Sequence, residues 1–177
     1  TIELDDPTSF AYLRIGKCYE KLGNSEQALN FYLKTVHEDP LLDKAWLAIT
    51  DFYIKQKNYQ KSLYYINKAI GIDSENSLYW RRYATINQFL NFFEEAEEGY
   101  RKAFENGDIA LDNFLFWSDV LYVLGEVNAA FEILNQAKEL YTNEAEILYR
   151  LVGLFYNIEE ETNAIEALET ALTSDFN

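Results

Sequence analysis

Apolar side chains recur along this chain at steps of three and four, in paired stripes divided by a short polar break. Tyr12, Ile15 and Tyr19 form one stripe, and Ala28, Tyr32 and Thr35 form the next. Such steps keep side chains on one face of a helix. Between them lies Lys21-Leu22-Gly23-Asn24, where the glycine can enter left-handed backbone without steric cost. Each pair of stripes therefore predicts a helical hairpin. The hairpin recurs every 34 residues, five times, with no insertion or deletion. In a frame that opens at Ser9, Ala28, Ser62, Ala96, Ala130 and Ala164 share one column. Tyr12, Trp46, Trp80, Phe114 and Leu148 share another, and Ile15, Ile49, Tyr83, Trp117 and Leu151 a third. A period of this length marks a solenoid, whose units bury their apolar faces only against neighbours. Gly16, Thr50, Ala84 and Ser118 stand where the first helix of each unit should approach the second, with the alanine column as the matching small residue.

The first unit, Ser9 to Leu42, carries Tyr12, Ile15, Gly16, Tyr19, Ala28, Tyr32 and Pro40. This set resembles the tetratricopeptide repeat, whose pattern is Trp-x2-Leu-Gly-x2-Tyr, then Ala-x3-Phe, then Pro. The resemblance implies an all-α fold, a right-handed superhelical solenoid of antiparallel helix pairs. Its repeats would span 9–42, 43–76, 77–110, 111–144 and 145–177. Residues 1–8 fit the tail of a preceding repeat or an N-terminal cap, and the expectation is one continuous domain within a longer chain. The sequence departs from the pattern at the closing Pro40, replaced by Ser74, Asp108, Thr142 and Phe176. The inter-helix Gly23 and Gly125 give way to Asn91, which tolerates left-handed backbone, and to Lys57 and Glu159, which fit it less well. These changes should blur helix ends and leave the fold intact.

Composition narrows function mainly by exclusion. The chain has no run of about 18 apolar residues and hence no membrane-spanning helix; its compartment is unknown, with a soluble, cytoplasmic setting favoured. The single Cys18 shares a column with Phe52, Ile86, Val120 and Leu154, which predicts a small buried hydrophobe. His37 lies near the end of a second helix, with no Cys or second His to share a metal. No nucleophile–base pair, shared carboxylate site or glycine-rich phosphate loop is present, so no catalysis and no cofactor or metal are expected. The first 88 residues hold 11 basic and 11 acidic side chains, whereas the rest hold 4 basic and 19 acidic, so the net charge of −15 belongs to the second half. That balance opposes a nucleic-acid partner. The Glu94-Glu95-Ala96-Glu97-Glu98 and Glu159-Glu160-Glu161 runs read as solvated helix starts, where the helix dipole favours carboxylates.

If Tyr12, Ile15 and Tyr19 face the partner helix, then Phe10, Leu13, Lys17 and Lys21 face away from it. In tetratricopeptide arrays that opposite face lines an inner, concave groove where extended peptides or partner helices dock. The resemblance therefore implies a peptide-binding groove built from Lys17, Lys21, Lys44, Leu47, Lys55, Arg81, Phe89, Leu115, Asp119, Tyr122, Tyr149 and Tyr156. Its first three repeats are cationic. Its last two are aromatic, ringed by Asp112, Asp119 and Glu146. The segment Phe114 to Leu124 is apolar nearly all round, more than its own hairpin and neighbours should cover. The expected function is a scaffold for a protein or peptide partner, with the ligand's acidic end over repeats one to three. Two alternatives stand beside it: a homodimer pairing through the aromatic face of repeats four and five, and a regulatory array within a larger enzyme. The clamp that chaperone-binding members use for a terminal carboxylate is absent, because its places hold Leu13, Lys17, Ala48, Leu78 and Arg82.

Overall fold

In the computed structural model, which describes residues 7–141 and 145–157 together with Ile165 and Glu169, the chain is a succession of antiparallel helix pairs, with no strand among those residues. The first pair is α1 (Pro7–Lys21) and α2 (Ser25–Glu38), the second α3 (Asp43–Lys55) and α4 (Tyr59–Ile72), the third α5 (Ser77–Phe89) and α6 (Phe93–Glu105). The fourth is α7 (Leu111–Val123) and α8 (Val127–Leu140), and α9 (Ala145–Asn157) opens the fifth. The fold is an all-α tetratricopeptide-type solenoid. The expectations placed on Glu159, on the Glu159–Glu161 run and on the second helix of the fifth unit lie outside the described residues.

Every described hairpin turns through one geometry. A single residue takes positive φ: Gly23 (76°), Lys57 (55°), Asn91 (60°) and Gly125 (80°). The amide after it donates back to the carbonyl five residues earlier, Asn24 to Tyr19, Asn58 to Tyr53, Phe92 to Asn87 and Glu126 to Leu121, each at 2.9 Å. This is the Schellman closure, which satisfies carbonyls that a helix end would otherwise leave open. Lysine at position 57 thus adopts the same turn as glycine, against a left-handed penalty of about 1–2 kcal/mol. Asn24 and Asn58 then cap α2 and α4, each side chain accepting from the backbone N–H three residues on at 3.2 Å.

The loss of the repeat-closing proline has a direct explanation. The Trp46 indole donates to the Pro40 carbonyl at 2.8 Å, and the Trp80 indole donates to the Ser74 carbonyl at 2.7 Å. What the next unit uses is the backbone oxygen, which any residue supplies. Where the tryptophan column becomes Phe114, the side-chain Nδ2 of the neighbouring Asn113 lies 3.4 Å from the carbonyls of Asp108 and Tyr100 instead.

Close approach within a hairpin needs a small residue, but not always on the same helix. A Cβ on Gly16 would stand 2.5 Å from the Tyr32 ring, so glycine on α1 makes room for the tyrosine of α2. In the third hairpin that column holds Ala84, and the glycine moves to the opposite helix. A Cβ on Gly99 would lie 2.8 Å from the Ala84 Cβ.

The apolar interior passes along the array in three linked clusters. Leu13, Tyr32, Ala45 and Ile49 bind α1, α2 and α3, while Ile66, Ala69, Tyr79 and Ile86 join α4 to α5. Tyr100, Phe114, Trp117, Leu134 and Leu151 belong to the third, which runs from α5 to α9. Two column expectations fail at the first unit. Cys18 is exposed, and Ile15 is 38% exposed although Ile49 below it in the column is fully buried. These columns pack against the second helix of the preceding unit, as Ile86 does against α4. No such helix precedes α1 among the described residues.

Candidate peptide-binding groove

Ion pairs between consecutive units draw the first helices together into one wall. Glu20 on α1 meets Lys55 on α3, and Asp51 on α3 meets Arg82 on α5 at 3.0 Å. Asp119 on α7 takes Arg150 of α9 through both carboxylate oxygens, at 3.0 and 3.1 Å, and Arg150 also reaches Glu146. The two Asp–Arg pairs are equivalent. Each spans 31 residues, and they recur two units apart (Asp51–Arg82, Asp119–Arg150). Between them Arg81 lies 2.7 Å from the buried Asp108.

The second helices support this wall from behind. The Tyr32 hydroxyl donates to Glu20 at 2.7 Å, and the Tyr100 hydroxyl donates to Gln88 at 2.8 Å. Burial pushes up the Tyr32 hydroxyl, and the Glu20 carboxylate beside it adds to the effect. Tyr100 is pushed up to about 12, again mainly by burial. Glu20 is the counterpart: burial opposes its ionisation, but hydrogen bonds from Lys55 and Tyr32 outweigh it and hold the carboxyl below its ordinary range. Asp51 goes the other way, because burial outweighs the nearby Arg82 and raises its pKa.

Nine of the twelve residues expected in the groove fall into three groups. Lys17, Lys21 and Lys44 are exposed and make no ion pair among the described residues. Tyr122, Tyr149 and Tyr156 are also open, at 42%, 40% and 74% exposure. Lys55, Arg81 and Asp119 lie on the wall but are engaged in the ion pairs above. Phe89 is exposed yet stacked on Tyr59 at the hairpin edge, with ring centroids 4.6 Å apart. Leu47 is half-buried against the α4–α5 cluster. Leu115 requires correction. It is 6% exposed and belongs to the core, as Leu13 does at the equivalent place. In this column a side chain is covered by the first helix of the next unit, Leu13 clustering with Ala45 and Ile49 and Leu115 with Ile147 and Leu151. The apolar α7 is covered accordingly at Phe114, Leu115, Trp117, Val120 and Leu121, leaving Phe116, Tyr122 and Val123 exposed.

A feature that the residue pattern did not single out is a cavity of about 190 Å³ opening between α7, α8 and α9. It is lined by Ser118, Asp119, Tyr122, Leu134, Arg150, Gly153 and Leu154. The matching space in the first unit measures about 80 Å³ and is lined by Tyr32 and Phe52, among others. Leu134 and Leu154 occupy those two columns in the fourth and fifth units, and both are smaller. A Cβ placed on Gly153 would meet nothing within 4 Å. Part of the signal was present in the columns, since Leu134 stands where the first and third units carry Tyr32 and Tyr100.

Among the described residues no group of acidic, histidine and cysteine side chains could hold a metal ion, and no helix is long and apolar enough to cross a membrane. Comparison with known proteins places tetratricopeptide-repeat models on residues 10–41 and 43–76. The TPR repeat-containing protein MJ1428 of Methanocaldococcus jannaschii is 25% identical over 92% of this chain, which spans only 32% of that relative's length. The solved structure of MamA superposes with a TM-score of 0.88 at 15% identity, covering 95% of this chain and 92% of that one. YrrB, a TPR protein with an unusual peptide-binding site, gives 0.82 at 19% identity, covering 92% of this chain and 84% of that one. At such identities the structural likeness speaks to the fold alone.

Proposed function

We propose, on the premise that this chain is a tetratricopeptide-repeat protein and so a protein-interaction scaffold, that its first-helix wall binds a peptide or partner helix in one preferred direction. The observation that carries this reading is the division of the wall. Uncommitted cations, Lys17, Lys21 and Lys44, stand at one end. Open tyrosines, Tyr122 and Tyr156, stand at the other, on the helices whose first turns carry Asp112 and Glu146. A ligand with an acidic end over α1 and α3 and an apolar, basic stretch over α7 and α9 matches both ends. The cations that hold ion pairs, Lys55, Arg81 and Arg82, fasten adjacent units and leave the three lysines as the anion-facing set. The peptide-binding site of YrrB, whose fold this chain shares, supports a peptide as the ligand class.

The test is affinity selection from a displayed peptide library, followed by titration calorimetry of the selected sequences. Tyr122→Ala with Tyr156→Ala should weaken binding about tenfold or more, as loss of aromatic anchors does, with far-UV circular dichroism unchanged. Lys17→Glu with Lys21→Glu should weaken ligands that carry acidic residues at one end and spare those that do not. Unchanged affinity in both variants would refute the reading. A concentration-dependent dimer in light scattering, abolished by the tyrosine variants, would put a second copy of the chain in the ligand's place.

A further inference from the structure

The cavity between α7, α8 and α9 departs from the arrangement in the first and third units. In the first and third units the space behind the first helices is closed by a tyrosine of the second helix, whose hydroxyl reaches Glu20 or Gln88, and in the second unit Ile66 stands there. In the fourth unit Leu134 stands in the tyrosine column and carries no hydroxyl, and Tyr122 stands where Glu20 and Gln88 do. The result is a recess with Leu134 and Leu154 among its lining and Tyr122, Asp119 and Arg150 beside them. An apolar cavity of about 150 Å³ is large enough to hold benzene. At about 190 Å³ this recess admits a leucine or phenylalanine side chain.

The charges around it select what flanks that side chain. Arg150 is committed to Asp119 through two hydrogen bonds and to Glu146 through a third contact, so it is not available to a ligand carboxylate. Asp119 and Glu146 share that one guanidinium, which leaves a net negative charge at the rim, and the half of the chain that contains them carries 19 acidic against 4 basic side chains. Residues 158–177 contain no lysine or arginine, so that stretch of this chain lacks the complementary charge.

We propose that this recess is the anchor site for one leucine- or phenylalanine-sized side chain of a partner segment, flanked by lysine or arginine. The inference rests on the groove reading above and narrows it to a single station on the wall. The apolar side chain gains affinity by leaving water for the Leu134–Leu154 floor, and the flanking cations meet the acidic rim.

Three heptapeptides test it against the isotope-labelled chain by amide chemical shifts and affinity: phenylalanine between Lys-Arg flanks, alanine between the same flanks, and phenylalanine between Asp-Glu flanks. The first should shift the amides of Ser118, Gly153 and Leu154 and bind about tenfold more tightly than the second, the difference expected for burying a large apolar side chain. It should also bind more tightly than the third. Gly153→Leu, which introduces a side chain where a Cβ meets no neighbour, should fill the recess and reduce affinity about tenfold or more, with helicity retained. Gly153→Ala serves as the folding control and should retain most of the binding. Equal binding of the phenylalanine and alanine peptides, equal binding of the acid-flanked peptide, or indifference to Gly153→Leu would each overturn the proposal. Binding that moves only the amides of Lys17, Lys21 and Lys44 would sink the anchor and leave the groove reading standing. No shift with any peptide would sink both. A change in light-scattering mass on Gly153→Leu without a change in peptide affinity would give the recess to a second copy and refute the assignment.

Discussion

Two glycine-to-alanine substitutions on this scaffold should move stability in opposite directions, although the chemistry is identical. A methyl at position 99 would lie 2.8 Å from the Ala84 Cβ, 2.9 Å from the Tyr83 ring and 3.0 Å from the Ala84 Cα. Carbon atoms prefer separations of about 3.5–4.0 Å, so α5 and α6 must part. The Ala84 contact includes backbone, which no rotamer change relieves. Overpacking of this kind costs about 1–3 kcal/mol, against about 1 kcal/mol recovered from helix propensity. The balance for Gly99→Ala is a loss of up to about 2 kcal/mol. At position 153 the added methyl meets nothing within 4 Å, so only the propensity gain remains, about 0.5–1 kcal/mol. Thermal unfolding followed by far-UV circular dichroism resolves both, since about 1 kcal/mol moves the midpoint of a chain this size by roughly 2–4 °C. Adding Ala84→Gly to Gly99→Ala should restore part of the loss, because it removes the nearest atom. A Gly99→Ala midpoint at or above that of the parent would refute the packing argument.

The remaining expectations concern turns, inter-unit contacts and charge. Lys57→Gly should stabilise by about 1 kcal/mol in urea unfolding, because position 57 has φ 55° and glycine carries no left-handed penalty. Trp46→Phe and Trp80→Phe should each cost about 1 kcal/mol through loss of the indole hydrogen bond, whereas Ser74→Ala should be near neutral because only its carbonyl is used. Equal losses at Ser74 and Trp80 would contradict that assignment. In carboxyl-carbon NMR titrations Glu20 should titrate below the ordinary glutamate range and Asp51 above the ordinary aspartate range. The stability contributed by Glu20 is present above its ordinary range and lost as pH falls through its depressed value. Ionising Asp51 instead lowers stability as pH rises through its elevated value. An Asp51 titration at or below the ordinary range would show that Arg82 prevails over burial.

The hairpins and their register were legible because both are properties of a single unit and its copies. Tyr32 and Ala28 face inward as the helical spacing requires, and position 57 takes the turn conformation even without glycine. The errors share one cause. A helical wheel assigns directions relative to the partner helix of the same hairpin, but some of a repeat's neighbours belong to other units. Leu115 was expected on the open wall and is covered through the cluster it shares with α9, while Cys18 was expected inside and has no preceding helix to cover it among the described residues. The cations were legible as residues but not as partners. Asp51 and Arg82 read as neighbours only once the separation of the first helices is known, and that separation also reveals Asp119 and Arg150 as the same pair. The recess lies where Leu134 replaces the tyrosine of the first and third units, a loss of side-chain volume that leaves no mark on hydrophobic periodicity.

The linked clusters along the array have a mechanical consequence. A chain drawn from its two ends would give way one helix pair at a time, each station yielding at a force set by the volume of side chain it has interlocked. Such a molecule behaves as a zip with unequal teeth. A ligand gripping α7 and α9 at once would act as a pin through two of those teeth, and the tension needed to part them would then report on the ligand.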